Sequence, residues 1–191
     1  IANDWIDVLI TLDRYAYGMR PNATARALAY IGLAAYETAA PAMKDHRSVA
    51  SHFTEFSISE QELREDVDFD IALNATFSTV IDHFITNVDG NHKSSIEQLE
   101  NALFEELSSR ASNQTIENSL LWADYVSDKV ISYAQSDLQA EQQILEPQPS
   151  SYEPPVGDGF WTYSAEPERA LFPYWGNVRT FAISPEETTT V

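Results

Sequence analysis

The sequence predicts an all-α chain: a helical bundle over residues 1–143, followed by an extended, Pro- and aromatic-rich segment over 144–191 docked on it within the same domain. Three observations carry this reading. Apolar side chains recur at three- and four-residue steps in four separate stretches. Gly, Pro and Asn–Asp punctuation falls between those stretches. Past Gln143 the periodicity stops, and Pro and Gly take over.

The first stretch runs from about Asp4 to Tyr17, with Trp5, Val8, Leu9, Leu12 and Tyr15 on one stripe, and Gly18 and Pro21 break it. The second spans roughly Ala23 to Ala40. Asn22 is placed to cap it and Pro41 to end it. Its Ala and Gly content lets neighbours approach closely, so this helix is expected at the centre. Residues His46 to Ser57 read as a connecting loop. The third stretch, about Asp68 to Val88, carries a broad apolar face that includes Ile71, Ala72, Ala75, Val80, Ile81 and Phe84. Asp89-Gly90-Asn91 supplies turn chemistry to stop it. Ser94 and Glu97 then offer a capping box for a helix reaching about Ser109. Asn113 is placed to cap the last long helix, roughly Gln114 to Leu138, where Ile116, Leu120, Ala123, Val126, Val130 and Ala134 repeat. Beyond it, aromatics from Phe160 to Phe181 follow so closely that they must dock, and the bundle is the available surface.

Composition narrows the function. The 191 residues hold 43% apolar and 12% aromatic side chains, which excludes wholesale disorder. The net charge is −19, and it is unevenly spread. Residues 1–50 hold five acids and five bases, whereas 51–110 hold 13 acids and 3 bases, and 111–191 hold 12 and 3. The neutral start reads as packing surface and the rest as solvated faces. Such acidity argues against nucleic acid, which needs clustered Lys and Arg, and against an anionic membrane surface. Without cysteine there is no disulfide, no Cys-held metal and no thiol nucleophile. No apolar run approaches the roughly 20 residues of a membrane span. The opening IANDWID has neither the basic start nor the apolar stretch of a signal peptide, and no initiator Met, so the chain is expected to begin after processing or to belong to something longer.

Chemistry is sparse. His46, His52, His83 and His92 never fall at zincin spacing and read as surface or loop histidines. Asp66, Asp68 and Asp70 imitate the start of a calcium loop. Ile71 and Phe77 stand where that loop needs Gly and Glu, so an acidic helix entrance is the better reading. Glu105-Glu106 lacks the apolar setting that would turn one carboxyl into a general acid. No phosphate loop, nucleophile elbow or Ser-His-Asp pattern occurs. The glycosylation-type triplets at Asn22, Asn74 and Asn113 fall on helix starts or interiors and read as chance.

Two stretches resemble one family. Trp5 together with residues 9–43, LITLDRYAYGMRPNATARALAYIGLAAYETAAPAM, is similar to the opening of the vanadium-dependent haloperoxidase and type 2 phosphatidic-acid phosphatase superfamily. There an Arg-Pro turn leads into an Ala-rich helix. Residues 152–183 resemble that superfamily's Pro-Gly-x-Trp…Pro-x-Trp-Gly-x-Val-Arg-x-Phe segment through Pro155, Gly159, Trp161, Pro173, Trp175, Gly176, Val178, Arg179 and Phe181. The second match is the more specific.

The resemblance covers nearly the whole chain but only the N-terminal half of the family's fold. It implies a parent enzyme that hydrolyses phosphomonoesters or, loaded with vanadate, oxidises halide. The family's oxyanion site uses a Lys, two Arg, a Ser-Gly-His element and a second His on C-terminal helices, and no residue here matches those positions. The expectation is therefore a chain with no catalytic residue, cofactor or metal ligand of its own, with vanadate or phosphate held by a missing C-terminal half. Trp161, Tyr163, Trp175 and Arg179 are the residues expected at the junction with that half. A homo-oligomer is a further possible partnership, and the resemblance implies a periplasmic or secreted location. The rival reading is a stand-alone, non-catalytic helical binding or structural domain.

Overall fold

Trp5, Leu9 and Leu12 lie within two turns of one another, and a helix is the conformation that puts all three on one side. In the computed structural model, which describes residues 1–16, 21–85, 87–164, 169–183 and 187, α1 (Ala2–Tyr15) does this and buries all three. The Gly18 break lies outside the described residues. The fold is all-α: six helices and no strand among the described residues.

Helix α2 (Pro21–Ala39) starts on Pro21, so Asn22 sits inside its first turn and does not cap it. Proline suits that position because its fixed φ is helical and its missing N–H would have had no partner. Helix α3 (Phe69–Phe84) is capped by Asp68, whose Oδ1 accepts from the N–H groups of Asp70 (2.9 Å) and Ile71 (3.2 Å). The acidic helix entrance is thus a cap. The helix stops four residues short of Val88, and buried Ile85 closes it.

Helix α4 (Gly90–Ser108) begins a full turn before the capping box the sequence suggests. Asp89 caps it, accepting from Asn91 and His92, each at 3.0 Å, while Ser94 turns its hydroxyl onto the Asn91 carbonyl. The short Asp89 carboxylate reaches two free N–H groups at once, so it outcompetes a serine one turn later. Helix α5 (Asn113–Gln135) is capped by Ser112, not Asn113; its Oγ accepts from Thr115 N–H at 3.1 Å.

The periodic run to Leu138 divides. Ser136 donates its hydroxyl back to the Tyr133 carbonyl, Asp137 leaves helical geometry, and α6 (Leu138–Leu145) sets off separately.

Helix α3 packs against α1, α2, α4 and α5, so it holds the centre that the Ala content of α2 suggested for that helix. Its residues Ile71, Ala72, Val80 and Ile81 are completely buried. Ala23, Ala27 and Ala34 of α2 are the small residues that admit α3 and α5. Directional bonds register the helices: the Trp5 indole N–H donates to Asn74 Oδ1 (3.0 Å), the Trp122 indole N–H to the Thr38 carbonyl (3.0 Å), and the Thr38 and Thr76 hydroxyls pair at 3.0 Å. The connecting loop contributes core as well. A 3-10 turn at Ala50–His52 leads into Phe53 and Phe56, both buried against Tyr133.

Candidate functional site

The C-terminal segment meets the bundle along a seam made by α2, the end of α5 and α6. Its contacts there are mainly single polar bonds. Phe172 is buried with a left-handed backbone (φ +50°), and within the segment its N–H donates to the Pro147 carbonyl at 2.7 Å. A bulky residue rarely adopts that backbone unless its surroundings fix it. Tyr174 N–H donates to Oε1 of buried Gln143 at 2.8 Å. A 3-10 turn, Trp175–Asn177, then brings Arg179 down onto the bundle.

Arg179 makes the most connections. Its backbone N–H donates to Asp137 Oδ2 (3.0 Å), and its guanidinium carbon lies 3.7 Å from the centre of the Tyr133 ring. Nη1 donates to Ser136 Oγ (2.9 Å), and Nη2 to the Tyr30 hydroxyl (3.2 Å) and the Tyr133 carbonyl. Burial raises the Tyr133 phenol above its ordinary range, and the Arg179 charge opposes that rise. Phe181 adds edge contacts to Phe53 (4.7 Å) and Tyr30 (5.3 Å).

Beneath this lies a second cation. Arg26, set among the alanines of α2, pairs with Glu141 of α6 at 3.1 Å and donates to the Ala134 carbonyl at 2.7 Å. Its buried Nε has no hydrogen-bond partner among the described residues. His83, on the last turn of α3, feels both charges. Its pKa is lowered chiefly by burial, with Glu141 opposing and Arg26 adding to the effect.

The four junction residues expected from the sequence separate into two pairs. Trp175 and Arg179 come together with Arg26 and Tyr30 around a cleft of about 220 Å³. Trp161 and Tyr163 pack edge to face at 4.9 Å, away from that cleft. Trp161 also lines an apolar groove of about 470 Å³ with Phe160, Pro155 and Leu171.

The other candidates have ordinary roles. Asn74 is buried and bonded to Trp5 and the Glu100 carbonyl, while Asn22 and Asn113 sit in first turns. Glu105 and Glu106 are exposed. Among the described residues no group of three His, Cys, Asp or Glu is arranged to hold a metal ion.

The donor set at the seam does not fit vanadate or phosphate. Such an oxyanion needs several free N–H donors converging on one point. Arg179 spends its guanidinium on Tyr133, Ser136 and Tyr30, and Arg26 is held by Glu141 and Ala134.

Sequence reasoning missed Arg26, Glu141, Asp137 and Gln143. Arg26 had a visible signal, a lone base in an Ala-rich helix. The other three had none, because their partners come from chain between about thirty and more than a hundred residues away. No helix among the described residues is long and apolar enough to cross a membrane. The chain matches no family model, no curated protein and no solved structure.

Proposed function

We propose that this chain is the N-terminal structural half of an enzyme similar to the vanadium-dependent haloperoxidases and acid phosphatases, and packs against a catalytic half that carries the oxyanion chemistry. In the parent that chemistry would be phosphomonoester hydrolysis or vanadate-dependent halide oxidation, and residues 1–191 would contribute a wall beside it.

One observation carries the reading. The C-terminal segment is held firmly at Phe172, Tyr174 and Arg179, yet the apolar side chains around those anchors stay in water. Phe160 is 54% exposed, Trp161 53%, Leu171 47% and Ile183 52%. A segment that costs ordering entropy and still exposes its aromatics is a surface made to be covered. The all-α bundle and the spent cations of the seam agree with a structural role.

The test is genetic and enzymatic. The reading frame downstream of Val191 is expected to encode Lys and Arg a turn or two apart and then Ser-Gly-His. Residues 1–191 alone, incubated with vanadate, bromide and peroxide or with an aryl phosphate, are expected to give no turnover. A frame that stops near Val191, or turnover by the isolated chain, overturns the proposal; the former favours a stand-alone binding domain.

A further inference from the structure

Toward the C-terminal end of α2, away from the seam residues Arg26 and Tyr30, that helix end, the loop at 46–48, the 3-10 turn Glu60–Glu62 and Trp122 of α5 line a cavity of about 410 Å³. That volume lies in the range of small-molecule sites. Its floor is apolar apart from one group. Ala40 and Trp122 are buried there, and so is Glu37, whose residue is only 1% exposed.

The fold uses only one of the two carboxylate oxygens of Glu37. One carboxylate oxygen, Oε1, accepts the Val49 N–H at 2.8 Å. The other receives no hydrogen bond and no ion pair from the described residues, although a carboxylate offers about four acceptor positions. That oxygen keeps contact with the cavity, so whatever fills the cavity, water or a ligand, completes its hydrogen bonding. At the rim stand exposed His46, Arg47 and Glu60, and the buried carboxylate of the lining is that of Glu37.

We infer that this cavity binds a primary alkylammonium group, with the ammonium donating to the free oxygen of Glu37 and the alkyl chain lying against Ala40, Ile58 and Trp122. A primary ammonium supplies both what the carboxylate lacks, charge and N–H donors, and an apolar body for the remaining wall. The net charge of −19 raises the local concentration of such cations around the whole molecule. The site needs no catalytic half, so it stands or falls separately from the function proposed above.

Titration of the ¹⁵N-labelled chain with n-butylammonium chloride at constant ionic strength tests it, read at the indole N–H signals of the tryptophans. The Trp122 signal is expected to move saturably with a Kd of about 1–10 mM, the scale open to a five-atom ligand, while buried Trp5 stays still. n-Butanol and n-butyrate are expected to bind at least about tenfold more weakly. E37Q, which keeps an acceptor for Val49, is expected to weaken the ammonium by about tenfold or more with an unchanged circular dichroism spectrum.

Equal binding of butanol would make the cavity merely apolar. Preference for butyrate would make Arg47 and His46 its determinants, and no saturable shift would leave it a water pocket. Each result overturns the inference. If E37Q does not fold, the three probes on the natural chain still decide.

Discussion

The bundle interior and the C-terminal seam are held by different physics. Inside the bundle, Trp5, Ile71, Val80, Ile81 and Val126 lose essentially all contact with water, and polar bonds such as Trp5 to Asn74 only fix the register. Along the seam the proportion reverses. Few apolar groups are buried, and Arg179, Asp137 and Gln143 supply the attachment through individual hydrogen bonds. A buried apolar surface resists small displacements collectively, whereas a set of single bonds can be released one anchor at a time. The seam is therefore the part of the molecule that can be loosened without unfolding the rest.

The sharpest way to test this contrast is to damage each region once. Trp5→Ala removes a completely buried indole and leaves Asn74 Oδ1 without its donor, so a loss of about 3–5 kcal/mol is expected, read as a lowered urea midpoint with one cooperative transition. Arg179→Ala is expected to behave differently. Global stability should fall by only about 1–2 kcal/mol, because the lost bonds are partly solvated. Amide exchange across residues 169–183 should nonetheless rise by about tenfold or more while α3 keeps its protection. Arg179→Lys should not restore it, since an ammonium cannot stack on Tyr133 while donating to Ser136 and Tyr30 together. Equal exchange changes in α3 and in 169–183 would mean that seam and bundle are one cooperative unit.

His83 probes the boundary between the two regions through pH. Burial, the largest cause, holds its pKa in the folded chain below the ordinary value of about 6.5. The unfolded chain therefore takes up this proton first. Stability attributable to the neutral ring is fully present above about pH 6.5, declines as pH falls through that value, and stops declining once the folded-state ring also protonates. The natural chain is expected to lose more of its urea midpoint than His83→Gln between about pH 7.5 and 5.5. Identical slopes would show that the ring titrates freely, and that the packing of α3 against the Arg26–Glu141 pair is looser than its burial indicates.

How much of this was legible in the sequence follows the same division. Helices α1, α2, α3 and α5 were readable because a repeating apolar stripe is a local property, and Trp5, Leu9 and Leu12 report their shared face with no knowledge of the partner. Helix starts at Asp89 and Ser112 differ from the Ser94 and Asn113 caps the sequence suggests, because the side chain that reaches the free N–H groups depends on where the first turn begins. The break after Gln135 was invisible, since Ser136 and Asp137 act through a hydroxyl turned back on the helix and a bond to Arg179. At the seam only residue types could be named. Arg179 was identified from its resemblance-bearing string, but its target, the Tyr133 ring 46 residues earlier, has no local signature. Glu37 has no local signature in an Ala-rich helix, and only its burial beside the Trp122-lined cavity distinguishes it.

The smallest expected effect on stability belongs to Trp161, and it separates the roles of the two regions most cleanly. With 53% of its surface in water and its ring against Tyr163, Trp161→Ala is expected to change folding stability by no more than about 0.5 kcal/mol. A large aromatic left so exposed contributes through what it touches in an assembly, and interface anchors are enriched in tryptophan. If the chain is the N-terminal half proposed above, the same substitution in the parent weakens cohesion between its halves, seen as earlier unfolding or as release of residues 1–191 after proteolytic nicking. If Trp161→Ala instead destabilises residues 1–191 alone by about 2 kcal/mol or more, the ring belongs to this domain's own core, and the surface left open for a partner lies elsewhere.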